Sequence, residues 1–210
     1  RFHANPLFSF RTKISDSAEK LTGKCLKIQK SREKSDFLCI FVYYPLTKTK
    51  AMKEIKLEIC IHSLQYEELA PQDRELIDKA KEATSRSYAP YSKFSVGAAA
   101  LLKNGVIVTG TNQENAAYPS GLCAERTTLF YANSQYPDQA VLTLAIAARS
   151  ESGYLDTPIP PCGACRQVLL ETEQRYRQPM RILLYGEKAI YEINGTKDLL
   201  PLSFGGEFLS

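Results

Sequence analysis

Three cysteines stand in two compact groups, Cys123-Ala124-Glu125-Arg126 and Pro161-Cys162-Gly163-Ala164-Cys165-Arg166-Gln167. Cys162 and Cys165 are three apart, so on the first turn of a helix their sulfurs point the same way. Each group falls where a loop is expected to enter a helix, and the free N–H groups of a helix start favour a thiolate. Three thiolates on zinc leave a fourth position open, which marks a catalytic rather than a structural site. Glu125, two residues after Cys123, is within reach of a water in that position and suited to moving its proton. Standing alone, the same glutamate would read as a first-turn residue stabilised by the helix dipole. Three thiolates give zinc a net charge of −1, which Arg126 is placed to offset by donating to a ligand sulfur. Arg166 could do the same, or form a surface or subunit ion pair.

Two other readings of the cysteines stay open on spacing alone. Cys60 could supply a fourth ligand and close the site as a structural one. The only histidines, His3 and His62, have no paired ligand nearby in sequence. Cys162-Gly163-Ala164-Cys165 also fits a redox C-x-x-C pair. Against the redox reading, a dithiol needs neither a third cysteine nor an adjacent carboxylate.

The elements that must position these groups are legible from residue 52 onward. Residues 52–61 alternate apolar and polar side chains and predict a half-buried strand over 54–62. A helix is expected over 71–88, with Pro71 at its start and Leu76, Ile77, Ala80, Ala83 and Ser87 on one face. Residues 89–92 break it. Short strands are expected over 96–102 and 106–110, joined through Asn104-Gly105, a strong hairpin signal. A loop carries 112–121, and helices are expected over 123–133 and from 162 to 176. The apolar run 141–148 reads as a central strand. Pro158–Pro161 is an extended lead-in, strands follow over 181–185 and 189–193, and an apolar tail covers 199–209. Strands alternating with helices predict a layered α/β domain.

Composition sets the class. The chain has 210 residues, 44% of them apolar and 24% charged, which excludes a mainly disordered or collagen-like chain. The longest apolar run, 37–46, is half the ~18 residues needed to span a bilayer and ends near a proline, so no membrane partner is expected. Net charge is +4, but residues 1–51 hold 11 Lys/Arg against 4 Asp/Glu and residues 52–210 hold 16 against 19. The basic character therefore belongs to the first quarter, and the remainder is not built as a nucleic-acid groove. Composition changes abruptly at Met52, so 1–51 are expected to be an extension, an upstream stretch or cloning remnant in which Cys25 and Cys39 do nothing, and 52–210 the working domain. A basic arm is the competing reading; a transit peptide is disfavoured by Asp16, Glu19, Glu33 and Asp36.

Taken together, the segments 88–99, 110–119, 123–127, 161–167 and 199–205 resemble, in that order, those of the small homotetrameric cytidine deaminases; the ligand-x-Glu…Pro-Cys-x-x-Cys pattern is the zinc-deaminase signature. The resemblance implies a three-layer α/β/α fold with a five-stranded mixed sheet, one zinc per subunit on Cys123, Cys162 and Cys165, and Glu125 as the catalytic carboxylate. It implies that Asn112 and Glu114 bind the ribose 3′-hydroxyl and that Phe94, Ala124 and Tyr118 contact the nucleoside. It further implies that Phe204 closes over the base from a neighbouring subunit and that Arg126 tunes the metal. The implied reaction, part of pyrimidine salvage, is hydrolytic deamination of cytidine and deoxycytidine, with ammonia released and Glu125 carrying the water's proton to N3 and then to the leaving amine. A small nucleoside is the expected partner, with no nucleic acid. A cytoplasmic location is expected from reduced, metal-binding cysteines. A blasticidin-S-like deaminase shares the Cys-Ala-Glu group, but the Asn112/Glu114 pair and the Leu-Leu-Pro…Phe-Gly tail favour cytidine. The departures are a 39-position interval from Cys123 to Cys162, Gly206 where proline is common, and a proline-rich lead-in over 156–160.

Overall fold

A computed structural model describes residues 53–209 and, for their backbone alone, residues 28–29 and 40–41. Contacts divide the chain into Arg1–Ile55 and Lys56–Ser210. In the first unit, β1 (Ile28–Gln29) and β2 (Ile40–Phe41) pair antiparallel. The remaining expectations for 1–51, including those for His3, Cys25 and Cys39, lie outside the described residues.

The second unit is built on one sheet. Its strands are β3 (His62–Leu64), β4 (Ser95–Leu102), β5 (Ile107–Thr111), β6 (Val141–Ser150), β7 (Gly153–Tyr154), β8 (Arg181–Tyr185) and β9 (Ile190–Asn194). The order is β3-β9-β8-β6-β4-β5, with β7 added to the end of β6. Only β6 and β8 run parallel; the other pairs are antiparallel, so the sheet is mixed. The five long strands are those the resemblance implied. The sheet has seven in all, because the short β3 and β7 extend it.

The helices are α1 (Pro71–Ala83), α2 (Ala124–Gln135) and α3 (Gly163–Tyr176). The continuous apolar run of β4 is divided between the two faces by the strand's period of two. Ala99 and Leu101 join Leu76, Ile77 and Ala80 of α1. Ala98, Ala100 and Leu102 join Leu129 and Ala132 of α2 and Leu169 of α3. One helix covers one face and two cover the other, which makes three layers. Among the described residues no helix is long and apolar enough to cross a membrane.

Two close approaches set the height of the helices. A Cβ on Gly97 would come within 2.1 Å of the Ala80 carbonyl oxygen of α1, and one on Gly110 within 2.8 Å of the Thr128 amide nitrogen of α2. These glycines sit on neighbouring strands, at residues whose side chains would face opposite layers.

The structure departs from the expected elements in three places. The alternating stretch 54–62 forms a strand only at His62–Leu64, and Ile55, Leu57, Ile59 and Ile61 are exposed. Alternation makes a strand only where a sheet edge and an apolar layer receive it, and β9 pairs residues 62–64 alone. The first helix ends at Ala83 rather than 88, because the hydroxyls of Thr84 and Ser85 donate to the carbonyls of Lys81 and Glu82 and compete with the helical ladder. β7 was not anticipated; Gly153, at φ +122°, allows the chain to fold straight back on β6.

Gly97→Ala is expected to lower stability by about 2–3 kcal/mol, because backbone rather than a movable side chain occupies the space. Urea unfolding monitored by circular dichroism measures it, with exposed Gly163→Ala as the control.

Candidate active site

The three cysteines meet because two helices begin at the same place on one face of the sheet. Cys123 is the N-cap of α2 and Cys162 the N-cap of α3, both with extended backbone. Their carbonyls open the helices, accepting from the amides of Thr127 and Arg166, while their side chains cap nothing and stay free for another partner. Cys165 follows in the first turn of α3 and is fully buried. The sulfurs are 3.8 Å apart for Cys123 and Cys162 and 3.5 Å for Cys162 and Cys165, and all three lie within 4.8 Å of one another.

Those separations fit zinc. Tetrahedral Zn–S bonds of about 2.3 Å place two sulfurs about 3.8 Å apart. Arg126 supports the same conclusion. Its Nη2 lies 3.8 Å from the Cys123 sulfur and 3.4 Å from the Gly121 carbonyl, while its buried Nε has no partner. A guanidinium with a spare buried donor beside three sulfurs suits a centre that carries negative charge.

The protonation of the trio follows from its hydrogen bonds. Cys123 is lowered to about 5 because Cys165 donates to it, with Arg126 assisting. Cys165 is pushed up because Cys123 holds its proton and burial disfavours its charge. Burial also raises the carboxyl of Glu125 above the usual range, and the nearby Cys123 thiolate adds to the effect. Glu125 is 5% exposed, on the first turn of α2, yet lines the cleft in front of the sulfurs.

That cleft has a volume of about 840 Å³ and is walled by Phe94, Asn112, Glu114 and Tyr118 as well as the sulfur trio's surroundings. The sequence-predicted residues are therefore brought together, with two exceptions. Ala124 is completely buried behind the cleft. Phe204 is 59% exposed and stacks on Phe208 outside the lining. The cleft's remaining wall was not anticipated: Tyr91, Ser92, Ile159 and Pro160. The proline-rich lead-in was the available signal for the last two.

Asn112 and Glu114 hold the cleft together. The Asn112 amide oxygen accepts from the Ser87 hydroxyl at 2.5 Å and the Val96 amide at 2.8 Å, and its nitrogen donates to the Phe94 carbonyl at 2.9 Å. Glu114 accepts from the amides of Tyr91 and Ser92 at 2.8 and 3.3 Å. The Ser92 side chain foremost, and then these two amides, lower its carboxyl below the usual range. Tyr118 meets Tyr91 edge to face at 6.2 Å.

Two sequence-based alternatives are overturned. Cys60 is exposed and outside the sulfur cluster, so it does not close the site as a fourth ligand. Among the described residues of this chain, Arg166 reaches neither sulfur nor carboxylate. It donates to the carbonyls of Pro161 and Leu199 and ties the lead-in of α3 to the C-terminal tail.

A layered α/β sheet with three thiols and a buried carboxylate at two converging helix starts defines a metal-dependent hydrolytic site. The family described as cytidine and deoxycytidylate deaminase zinc-binding region matches residues 70–177, and the chain belongs to it. It is 47% identical to a cytidine deaminase of Halalkalibacterium halodurans over 132 residues, covering 63% of this chain and 93% of that one. It is 42% identical to that of Sporosarcina psychrophila over 135 residues, covering 64% and 93%. The crystal structure of a cytidine deaminase from Burkholderia pseudomallei superposes with a TM-score of 0.53 at 37% identity, covering 62% of this chain and 97% of that one.

Two substitutions separate the roles of the walls. Asn112→Ala should cost about 2–3 kcal/mol of stability, since it leaves the Val96 amide and Phe94 carbonyl unpaired; a residue that touched only ligand would leave the thermal midpoint unchanged. Arg126→Gln should lower metal affinity or activity by about 10–100-fold, read from zinc competition against a chromophoric chelator and from steady-state rates.

Proposed function

We propose that this chain catalyses the hydrolytic deamination of cytidine and deoxycytidine to uridine and deoxyuridine, releasing ammonia. The observation that carries the reading is the placement of Glu125: a buried carboxyl, two residues from one thiol, at the floor of a cleft large enough for a nucleoside. Its relatives are named for this reaction.

Cys123, Cys162 and Cys165 are the proposed ligands of one zinc ion per chain. When bound, zinc supplies the Lewis acidity that makes water nucleophilic near neutral pH. The chain's residues do the rest. Glu125 takes a proton from the water and delivers it to ring N3, then carries the second, from the C4 hydroxyl, to the leaving amine, so the water's oxygen stays on C4, one of its hydrogens stays on N3 and the other leaves with ammonia. The low-dielectric surroundings of Glu125 keep that proton from bulk solvent. Arg126 steadies Cys123.

Glu114 and Asn112, both in the wall of the cleft, are proposed to bind the ribose hydroxyl. Phe94 packs against the nucleoside, and Ala124 contributes through its backbone at the start of α2. Tyr118 and a neighbour's Phe204 are proposed to complete the walls in a homotetramer, a reading supported by the exposure of both rings. Residues 52–210 are proposed as the deaminase domain and 1–51 as an extension. A role in cytoplasmic pyrimidine salvage follows from the proposed substrate.

The test is the loss of cytidine's ultraviolet absorbance with zinc-loaded protein. Glu125→Gln should retain zinc and lose at least about 10²–10⁴-fold in rate; unchanged turnover would remove Glu125 from the chemistry. A chelator should abolish turnover, and stoichiometric zinc should restore it. Zinc retained without any turnover of cytosine nucleosides would leave a metal-binding scaffold and overturn the enzymatic reading.

A further inference from the structure

The polar face of the segment leading into β3 carries Cys60 and His62, two residues apart. β3 pairs antiparallel with β9, and His62 lies directly opposite Glu192. Cross-strand partners present their side chains on one face of the sheet, and Cys60 lies just ahead of the strand. The Cys60 sulfur lies 3.5 Å from Nε2 of His62, and Oε2 of Glu192 lies 3.6 Å from Nδ1.

The two contacts fall on opposite edges of the imidazole. The three groups therefore form a line and cannot converge on one ion; the only metal-binding trio among the described residues is Cys123, Cys162 and Cys165. Thiol, imidazole and carboxylate in that order are the arrangement in which a base takes a thiol proton and a carboxylate stabilises the resulting imidazolium. The far end of the line is anchored. Oε1 of Glu192 accepts from Arg181 Nη1 at 3.3 Å, and Arg181 in turn pairs with Asp73, whose side chain is 8% exposed. Two carboxylates against one guanidinium leave negative charge to balance an imidazolium. Exposure rises along the line, from 17% for the Glu192 side chain to 52% for His62, and Cys60 is exposed. A rigid anchor thus ends in an accessible thiol, outside the cleft of the deaminase site.

We propose that Cys60, His62 and Glu192 form a thiol-activating relay at the sheet edge, and that Cys60 is a modification site for low-molecular-weight disulfides of the glutathione type. The thiol proton passes to Nε2 of His62. The thiolate attacks one sulfur of the small disulfide, whose S–S bond breaks as the mixed disulfide forms on Cys60. The other half leaves as a thiolate, which recovers the proton. Cys60 is oxidised and the departing half of the disulfide is reduced, so no further oxidant is needed.

The zinc-loaded protein is exposed to oxidised glutathione at pH 7, quenched with acid and mapped by peptide mass spectrometry, following the adduct at Cys60 with time. An unperturbed thiol is only about 3% thiolate at pH 7, and the gain from full ionisation is reduced by lower nucleophilicity. Cys60 should therefore react about tenfold faster in the folded protein than in the urea-unfolded chain. His62→Gln should remove that excess, and Glu192→Gln should reduce it several-fold, with circular dichroism verifying the fold of each. Equal rates in folded and unfolded chains, or an undiminished rate in His62→Gln, would show an ordinary exposed thiol and overturn the relay. So would adducts at the zinc-site cysteines with none at Cys60.

Discussion

Everything in the site depends on two helices starting at one point. Cys123 and Cys162 are both N-caps, so the position of each sulfur is set by where its helix begins. A shift of one residue along either helix would turn a sulfur by about 100° and carry it out of reach of the others. The sheet prevents that shift. Leu129 and Leu169 sit in one continuous core with Ala98, Ile146 and Ile182, and the absence of a side chain at Gly110 lets Thr128 of α2 press against β5. The metal-binding trio is thus a consequence of packing some distance behind it. This suits a centre whose ligand atoms must be held in van der Waals contact before any ion arrives.

The cleft's other wall is fixed by a different means. Residues 87–96 have no helix to hold them, and one of their members, Lys93, adopts a positive φ of 56°. Asn112 and Glu114 supply what the backbone ladder cannot, by bonding to Ser87, Phe94, Val96, Tyr91 and Ser92. An amide and a carboxylate two residues apart, each already gripping the opposite loop, are pre-organised in a way a solvated pair would not be. The side chains proposed to bind the ribose hydroxyl are thus the ones that hold the loop.

The sulfur trio and Glu125 were legible because the chemistry they suit needs particular residue types at particular spacings, and loop-to-helix transitions are among the clearer local signals. The central strand was legible for a simpler reason: a run such as 141–148, almost wholly apolar on both faces, has only a sheet interior to go to. What could not be read depends on partners distant in sequence. The alternation before His62 looks like a strand but finds no layer to cover Ile55, Leu57 and Ile59. Nothing local distinguishes Arg166 as a ligand to sulfur from Arg166 as a tie to Leu199, 33 residues away. Asn112 showed its amide in the sequence but not the three groups that engage it.

Tail and site pose one problem. Leu202, Phe204, Phe208 and Leu209 are 59–88% exposed, more apolar surface in one short stretch than an isolated soluble chain normally leaves uncovered. Yet the stretch is not loose. Arg166 fixes its beginning at Leu199, Gln167 donates to the Phe204 carbonyl at 2.8 Å, and Gln174 bonds to Glu207. All three side chains belong to α3, the helix that begins with two of the proposed zinc ligands. The tail is thus held in register with the sulfur trio while its aromatic rings, stacked on each other, lie outside the lining of its own cleft. A segment so anchored, and so apolar, is consistent with the proposed homotetramer, in which a neighbouring copy would cover it. Because α3 carries both these ties and Cys162 and Cys165, the tail is mechanically tied to the sulfur trio of its own chain.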